Sequence, residues 1–518
     1  MSATRLLAID VGTQSARAIV FDAQGRLLAK AQKVFEPTYL SPQPGWAEQD
    51  PEIFWQAVTE TCQNLWRDGT VTPGEISGVA LTTQRATMIC LDAAGKILRP
   101  AILWLDQRRC SAPPHMGRYA LLPKLPVLGG LIKHFQAEAD ANWLAQHQPQ
   151  LWKATDKYLF LSGFLTHRLT GEYVDSVGCQ VGYVPFDYKS LAWAKPADFK
   201  WKAVAIKPEQ LPRLVAPGQK LGVLQKSAAE AMGLPTGLPL MAAAADKACE
   251  VLGCGALEPH IAALSFGTTA TINTTQPRYL EVQSLLPAYP AALPGAFNTE
   301  IQIYRGFWMV SWFKREFAHR EQALAKQTGV NVESLFDDLV KSAPPGSMGL
   351  TLQPYWSPGV RDPGSEAKGA IIGFGDVHTR AHLYRAILEG LIYGLRAGKE
   401  RIEKKTGKPI RIVRVAGGGS QSDAAMQITA DIFGVPAERP AVFETSALGA
   451  AINLAVGLGV HPGYREAVAQ MTRVGTRMSP DPDAQRIYDA LYSEVYQAMY
   501  PRLRPLYRRI RAITGYPP

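Results

Sequence analysis

At 518 residues the chain is too long for one ordinary domain core, and 47% hydrophobic against 19% charged residues suits a soluble globular protein with at least two large domains. The net charge of +10 does not mark a nucleic-acid protein, because the basic residues are dispersed. The densest basic cluster, PRLRPLYRRIRAIT at 501–514, interleaves aliphatic and aromatic residues as a solvated C-terminal helix does, and a basic surface helps draw in anionic ligands such as nucleotides.

The N-terminus, MSATRLLAID, goes straight into a strand without a signal-peptide pattern. RLLAIDVGTQSARAIVFDAQGRLLAKAQ reads as strand, tight turn, strand, turn, strand, with GTQS as the first turn and AQG as a hairpin signal. PEIFWQAVTETCQNLWR, from 51 to 67, has Pro in its first turn and apolar residues at helical spacing. ISGVALTTQ is an apolar strand ending on polar residues, and MICLDAAGKILRPAILWLDQRR gives strand, turn and strand. Strands alternating with helices in this way indicate an α/β layered domain. LLPKLPVLGGL at 121–131 is too short and too broken by Pro and Gly to span a membrane, and reads as a loop or lid over a cleft.

The pattern then restarts. HIAALSFGTTATINTT at 260–275 is again strand, Gly-Thr turn, strand, and Ser265, Gly267 and Thr268 fall at the same offsets as Asp10, Gly12 and Thr13. Two similar domains are expected, 1–257 and 258–518, with the break near GCGALEPH and with Gly253 and Gly255 as hinge candidates. VRVAGGGSQSD at 413–423, followed by AAMQITADIFGVP, reads as strand, glycine turn and helix, whose N-terminus offers N–H groups and a positive dipole. SALGAAINLAVGLG at 446–459 is an Ala/Gly-rich helix suited to close packing, and the segment from about 462 reads as helical. The six cysteines, Cys62, Cys90, Cys110, Cys179, Cys249 and Cys254, make no C-x-x-C pair and no zinc-like cluster, so free thiols in a reducing cytosol are the simplest reading.

Glycine lets backbone approach a phosphate, and successive N–H groups and hydroxyls bind its oxygens. Both DVGTQS and SFGTT fit that use, although an ordinary hairpin turn fits either alone. Asp10 ends an apolar strand beside the first turn, where a carboxylate suits Mg²⁺. The triple-glycine turn is neither a Walker A loop nor a Rossmann fingerprint; a tight strand–helix junction is its plainer alternative. LMAAAADKACE at 240–250 sets Asp246 and Lys247 at the end of an uncharged run, as a helix cap or as a catalytic carboxylate.

In this order, AIDVGTQSARAIVFD, PGWAEQDPEIFW, PAILWLDQRR, RLTGEYVDSVGCQVGYVPFD, AAADKACEVLG, SFGTT, GAIIGFGDVHTRAHLYRAILEGLIYGLR and VAGGGSQSDAAMQITADIFGVP resemble FGGY-type carbohydrate kinases over nearly the whole chain. The resemblance implies an α/β protein of two RNase H-like (actin-like ATPase) domains flanking a deep cleft. Sugar is expected mostly on the N-terminal domain and MgATP mostly on the C-terminal one. By this likeness Asp246 is the general base that takes the sugar hydroxyl proton, and Asp10, with Asp246, is associated with the metal. Gly12, Thr13, Gln14 and Arg17 match the first phosphate turn, Gly267 and Thr268 the second, and Gly418, Gly419, Ser420 and Asp423 the adenosine-side turn. The implied ligands are a small sugar, ATP and Mg²⁺, in a cytoplasmic enzyme without nucleic-acid or membrane partners and with a homodimer as one option for assembly.

Departures from the family bear on the substrate. TTQRAT at 82–87 keeps Gln84 and Arg85 but has Ala86 where glycerol kinases carry an acid, which counts against glycerol. Lys247 follows the catalytic Asp where those enzymes have Gln and xylulokinases have Asn; it suits an acidic sugar or a ketose carbonyl, or else simply partners Asp246 or Glu250. PAILWLDQRR resembles the xylulokinase W-N-D-x-R pattern with Leu105 for Asn, and Trp104 either stacks on a sugar face or belongs to the core. The sequence favours transfer to a hydroxyl of a pentulose such as xylulose. Glycerol or another polyol is the runner-up, and an actin- or Hsp70-like ATPase without a sugar substrate the distant third.

Overall fold

The computed structural model describes residues 4–516 apart from 68, 126–127, 285, 331 and 360–362. Compactness groups the chain differently from two contiguous halves. One unit is Met1–Leu257, Thr275–Asn298 and Glu444–Arg473; the other is Glu258–Thr274, Thr299–Phe443 and Val474–Pro518.

In the first unit six strands carry the main sheet: β1 (Arg5–Val11), β2 (Ser15–Asp22), β3 (Leu27–Val34), β4 (Ile76–Thr83), β5 (Lys220–Val223) and β6 (Pro239–Ala242), in the order β3-β2-β1-β4-β6-β5. β1, β4 and β6 are mutually parallel, and the outer neighbours β2, β3 and β5 run antiparallel to the strands they pair with. The central strands read as continuous apolar runs because both sheet faces are covered. On one face Leu7, Ile9, Val79 and Leu81 pack with Phe54, Ala57 and Val58 of the Pro51–Leu65 helix, whose first turn is capped by Asp50. On the other, a Cβ on Gly78 would meet Leu454 and Leu458 at 3.1 Å. Leu454 belongs to the Thr445–Gly457 helix, which therefore completes this unit from far along the chain.

That helix lies against the Asp246–Gly253 helix at backbone contact distance. A Cβ on Gly253 would stand 1.9 Å from Thr445 O, and one on Gly449 1.9 Å from Cys249 O. This is the close approach the Ala/Gly-rich sequence permits. It also gives Gly253, expected as a hinge, a packing role inside a helix; Gly255, at φ +71°, follows the helix end. The 121–131 stretch is not a loop. It forms a 3₁₀ turn over Leu122–Lys124 and opens the Leu128–Glu138 helix, with Ile132 buried at helical spacing; Pro126 and Val127, which belong to the same reading, lie outside the described residues.

The second unit repeats the plan. Its strands β7 (Ile261–Phe266), β8 (Ala270–Gln276), β9 (Phe297–Ile303), β10 (Ile412–Ala416), β11 (Ala437–Pro440) and β12 (Val474–Met478) follow the order β9-β8-β7-β10-β11-β12. β7, β10 and β11 are parallel, while β7–β8 and β11–β12 are antiparallel. The register of the repeat read from the two glycine turns is therefore the register of two sheets of like topology. β12 interrupts the C-terminal region expected to be wholly helical; helices Tyr464–Met471, Pro482–Ala490 and Gln497–Thr514 flank it, the last carrying the basic 501–514 cluster. All six cysteines are buried free thiols, and among the described residues no helix is long and apolar enough to cross a membrane.

Candidate active site

Parallel strands end on a common edge, and in the first unit three of them bring the chemistry there. Asp10 pairs in register with Thr82, Val11 with Thr83, and Leu81 with Ala242. The Gly12–Gln14 turn after β1, the Gln84–Thr87 loop after β4 and the Ala243–Asp246 junction after β6 thus emerge side by side. The Asp246–Gly253 helix starts at this edge. Its cap is Ala245, so Asp246 is the first helical residue and not the cap that its composition suggested. Asp246 Oδ1 accepts the Lys247 N–H at 2.7 Å. Burial holds the Asp246 carboxyl above the ordinary range, against the pull of the Lys247 and Arg85 cations. Lys247 itself forms an ion pair with Glu250, Nζ to Oε2 2.8 Å, one helical turn away.

Asp10 is 6% exposed, and its carboxyl is pushed up to about 6. Burial is the largest cause; the neighbouring Asp246 and Glu444 charges add to it, and Arg17 opposes. Arg17 Nη1 lies 3.2 Å from Asp10 Oδ2 and its Nε 3.8 Å from Glu444, which Lys30 also pairs. The Gln14 side chain is exposed, and its carbonyl accepts Phe35 N at 2.9 Å.

On the loop after β4, Gln84 is 3% exposed and Ala86 holds φ +47°. A left-handed alanine is strained, a feature that recurs at functional loops. Thr13 Oγ1 donates to Gln84 Oε1 at 2.7 Å, and Trp104 Nε1 donates to Thr13 Oγ1 at 2.8 Å. Trp104 is 43% exposed, so it belongs to the edge and not to the core. Its loop is braced from beneath: Arg108 makes two 2.7 Å bonds to Asp106, reaches Glu48 at 2.8 Å, and stacks 4.0 Å over Trp46, while Ala47 N donates to Asp106 at 2.6 Å. The Asp and Arg of the WLDQR pattern are that brace. Arg85 lies 5.1 Å over the ring of Tyr289, which the 275–298 segment returns to this unit. Sequence reasoning passed over Tyr289 because nothing local distinguishes an isolated tyrosine before a proline.

In the second unit β7 and β10 pair Ser265 with Ala416, so the Gly267–Thr269 and Gly417–Gln421 turns leave neighbouring strand ends. Gly267 O accepts Phe307 N at 3.0 Å, Thr268 O accepts Trp308 N at 3.4 Å, and the Phe266 and Phe307 rings stack at 4.3 Å. Gly419 is fixed by this packing, since a Cβ there would stand 2.3 Å from Phe307. Ser420 Oγ donates to Gly417 O at 2.7 Å, and Asp423 pairs with Arg439 at 2.7 Å. The Asp423–Phe433 helix does not present an open anion site. Asp337 accepts Asp423 N at 3.1 Å and the Ser422 hydroxyl, and Ser422 Oγ accepts Ala425 N at 3.1 Å.

Other glycines of the turns are required by neither packing nor φ. A Cβ on Gly12 would come no nearer than 3.7 Å to anything, one on Gly267 no nearer than 3.4 Å, and one on Gly418 would meet nothing within 4 Å. These positions keep backbone open to a ligand, as a phosphate cradle needs. Among the described residues no three His, Cys, Asp or Glu side chains cluster as a metal cage. The buried Asp10 carboxylate, with the Asp246 charge near it, instead fits Mg²⁺, which takes one or two carboxylates and completes its shell with phosphate oxygens and water.

Residues 5–253 match the N-terminal domain, and residues 262–458 the C-terminal domain, of the FGGY family of carbohydrate kinases. An uncharacterized sugar kinase of Escherichia coli (strain K12) is 29% identical over 505 residues, covering 96% of this chain and 93% of that protein. A glycerol kinase of Methylibium petroleiphilum is 29% identical over 486 residues, covering 90% and 93%. The crystal structure of xylulose kinase from Rhodospirillum rubrum superposes with a TM-score of 0.79 at 26% identity, covering 97% of this chain and 100% of that one. The two α/β units are those of the actin-like ATPase fold.

Proposed function

Because the chain belongs to the FGGY family of carbohydrate kinases, phosphotransferases acting on sugar hydroxyls, we propose that it transfers the γ-phosphate of MgATP to a hydroxyl of a pentulose such as xylulose. The observation that carries this reading is the convergence of Asp10, Gln84, Arg85 and Asp246 on one edge of three parallel strands, with the exposed Trp104 indole tied to it. Asp246 is the general base. Its Oδ1 is held by the Lys247 N–H, which leaves Oδ2 to take the hydroxyl proton. A carboxyl raised by burial is a stronger base than a solvated one. Arg85, kept in place over Tyr289, and Trp104 orient the sugar, and Lys247 contributes a cation beside the base. Asp10 holds the metal. Gly12, Gln14 and Arg17 serve the first phosphate turn, Gly267 and Thr268 the second, and Gly418 and Gly419, with Ser420 and Asp423 shaping the turn, the adenosine side. MgATP, when bound, supplies the phosphoryl group and the charge neutralisation that dominates such transfers.

Ala86 supports a pentulose over glycerol, since a methyl replaces the carboxylate that would hold glycerol hydroxyls. The test is ADP release with Mg²⁺ across a sugar and polyol panel containing D-xylulose and glycerol. The expected result is sugar-dependent ADP formation with the highest kcat/KM on a pentulose. A higher value on glycerol moves the assignment to a polyol kinase, and no stimulation by any member from folded protein overturns it.

A further inference from the structure

Thr13 lies in the turn that the sequence reading gives to phosphate, yet its side chain is engaged elsewhere. Oγ1 donates to Gln84 Oε1 at 2.7 Å and accepts from Trp104 Nε1 at 2.8 Å. A hydroxyl carries one donor hydrogen, and phosphate oxygens at neutral pH are acceptors. With that hydrogen on Gln84, Thr13 Oγ1 has none for a phosphate. Both partners belong to the sugar side: Gln84 follows β4 beside Arg85, and Trp104 stands exposed on the loop that Asp106, Arg108 and Glu48 brace. Gln84 is 3% exposed, and its Nε2 has no hydrogen-bond partner among the described residues. A buried amide donor left unpaired is costly to the fold unless a ligand completes it.

We infer that Thr13 is a positioning residue of the sugar site. Its hydroxyl is the junction that sets the Trp104 indole and turns the Gln84 carboxamide so that Nε2 donates to a sugar oxygen; phosphate contact at this turn is left to backbone N–H groups. The inference rests on the sugar-kinase reading above and sharpens it, because it divides the first turn between two ligands: its backbone for the nucleotide and its one threonine hydroxyl for the sugar.

The test uses the full chain carrying Thr13→Val, which keeps the branched shape, and Thr13→Ser, which keeps the hydroxyl. MgADP affinity is measured by calorimetry without sugar, and D-xylulose kinetics at saturating ATP. In Thr13→Val, MgADP affinity should stay within about twofold while kcat/KM for D-xylulose falls about tenfold or more, chiefly through KM, and Thr13→Ser should recover most of that loss. A loss of about tenfold in MgADP affinity in Thr13→Val, whatever the sugar kinetics, overturns the inference and returns the hydroxyl to the phosphate. Absence of turnover on D-xylulose by the unsubstituted protein counts against the pentulose assignment alone; the MgADP titration then still decides the role of Thr13.

Discussion

Replacing Asp10 by Asn should separate stability from activity. The Asp10 carboxyl moves from 3.8 to about 6 on folding, mainly through burial, with Asp246 and Glu444 adding and Arg17 opposing. A raised value means that the native chain holds its proton more tightly than the unfolded one. Stability from this group is therefore complete at the acid side, falls as pH rises from about 4 to 6, and is lost above that. A shift of about 2 units at ~1.4 kcal/mol each makes the ionised carboxylate cost about 3 kcal/mol at neutral pH. Asn mimics the protonated acid in shape and charge, and Arg17 retains Glu444 at 3.8 Å. Asp10→Asn should therefore be more stable than the parent by up to about 3 kcal/mol near pH 7.5, and equal to it near pH 4. Urea denaturation of both proteins across that range, without nucleotide or divalent cation, measures the difference. The same variant should fail to turn over sugar with MgATP. A variant less stable near neutrality, or a gain independent of pH, would refute the electrostatic reasoning.

Asp246→Asn should lose about 10²- to 10⁴-fold in kcat while still binding MgATP. Since the base must be ionised and burial raises it, kcat/KM of the parent should fall with acid at a pH above the ordinary 3.8; an acid limb at or below that value counts against Asp246 as the base. Gly418→Ala and Gly419→Ala form a discriminating pair: a Cβ at 418 meets no protein atom within 4 Å and should weaken nucleotide binding without changing the melting temperature, whereas one at 419 lands 2.3 Å from Phe307. The 419 variant should cost about 1–3 kcal/mol of stability by overpacking. Gly253→Ala places a methyl 1.9 Å from Thr445 O, a backbone atom that cannot step aside, and should lower the melting temperature by more than Gly419→Ala; equal melting temperatures for it and the parent would contradict the packing.

Much of this arrangement was legible because it is periodic or local. Apolar strands alternating with helices declared a layered α/β domain, and the equal offsets of Asp10–Gly12–Thr13 and Ser265–Gly267–Thr268 declared a duplication that the strand orders repeat. Three things were hidden because they depend on partners distant in sequence. Asp106 and Arg108 look like part of a sugar motif, and only their contacts with Glu48, Trp46 and Ala47 make them the brace of the Trp104 loop. The Asp423–Phe433 helix promised an anion site, but Asp337, 86 residues earlier in the chain, already occupies its N-terminus. Tyr289 reaches Arg85 because the chain re-enters the first unit over Thr275–Asn298. The Leu128–Glu138 helix was missed for a local reason: Pro and Gly punctuate the stretch around its start, and the helical spacing of Leu128 and Ile132 shows only downstream of them.

The Thr445–Gly457 helix seals one face of a sheet whose six strands all end by Ala242. During synthesis that sheet is finished some 200 residues before its cover leaves the ribosome, so this unit cannot mature by the usual N-terminal-first sequence. Through that interval Gly78 and the small residues of the Asp246–Gly253 helix present an uncovered seam. A nascent chain halted near residue 440 should bind chaperones and digest readily, and release of the last 78 residues should protect both units at once.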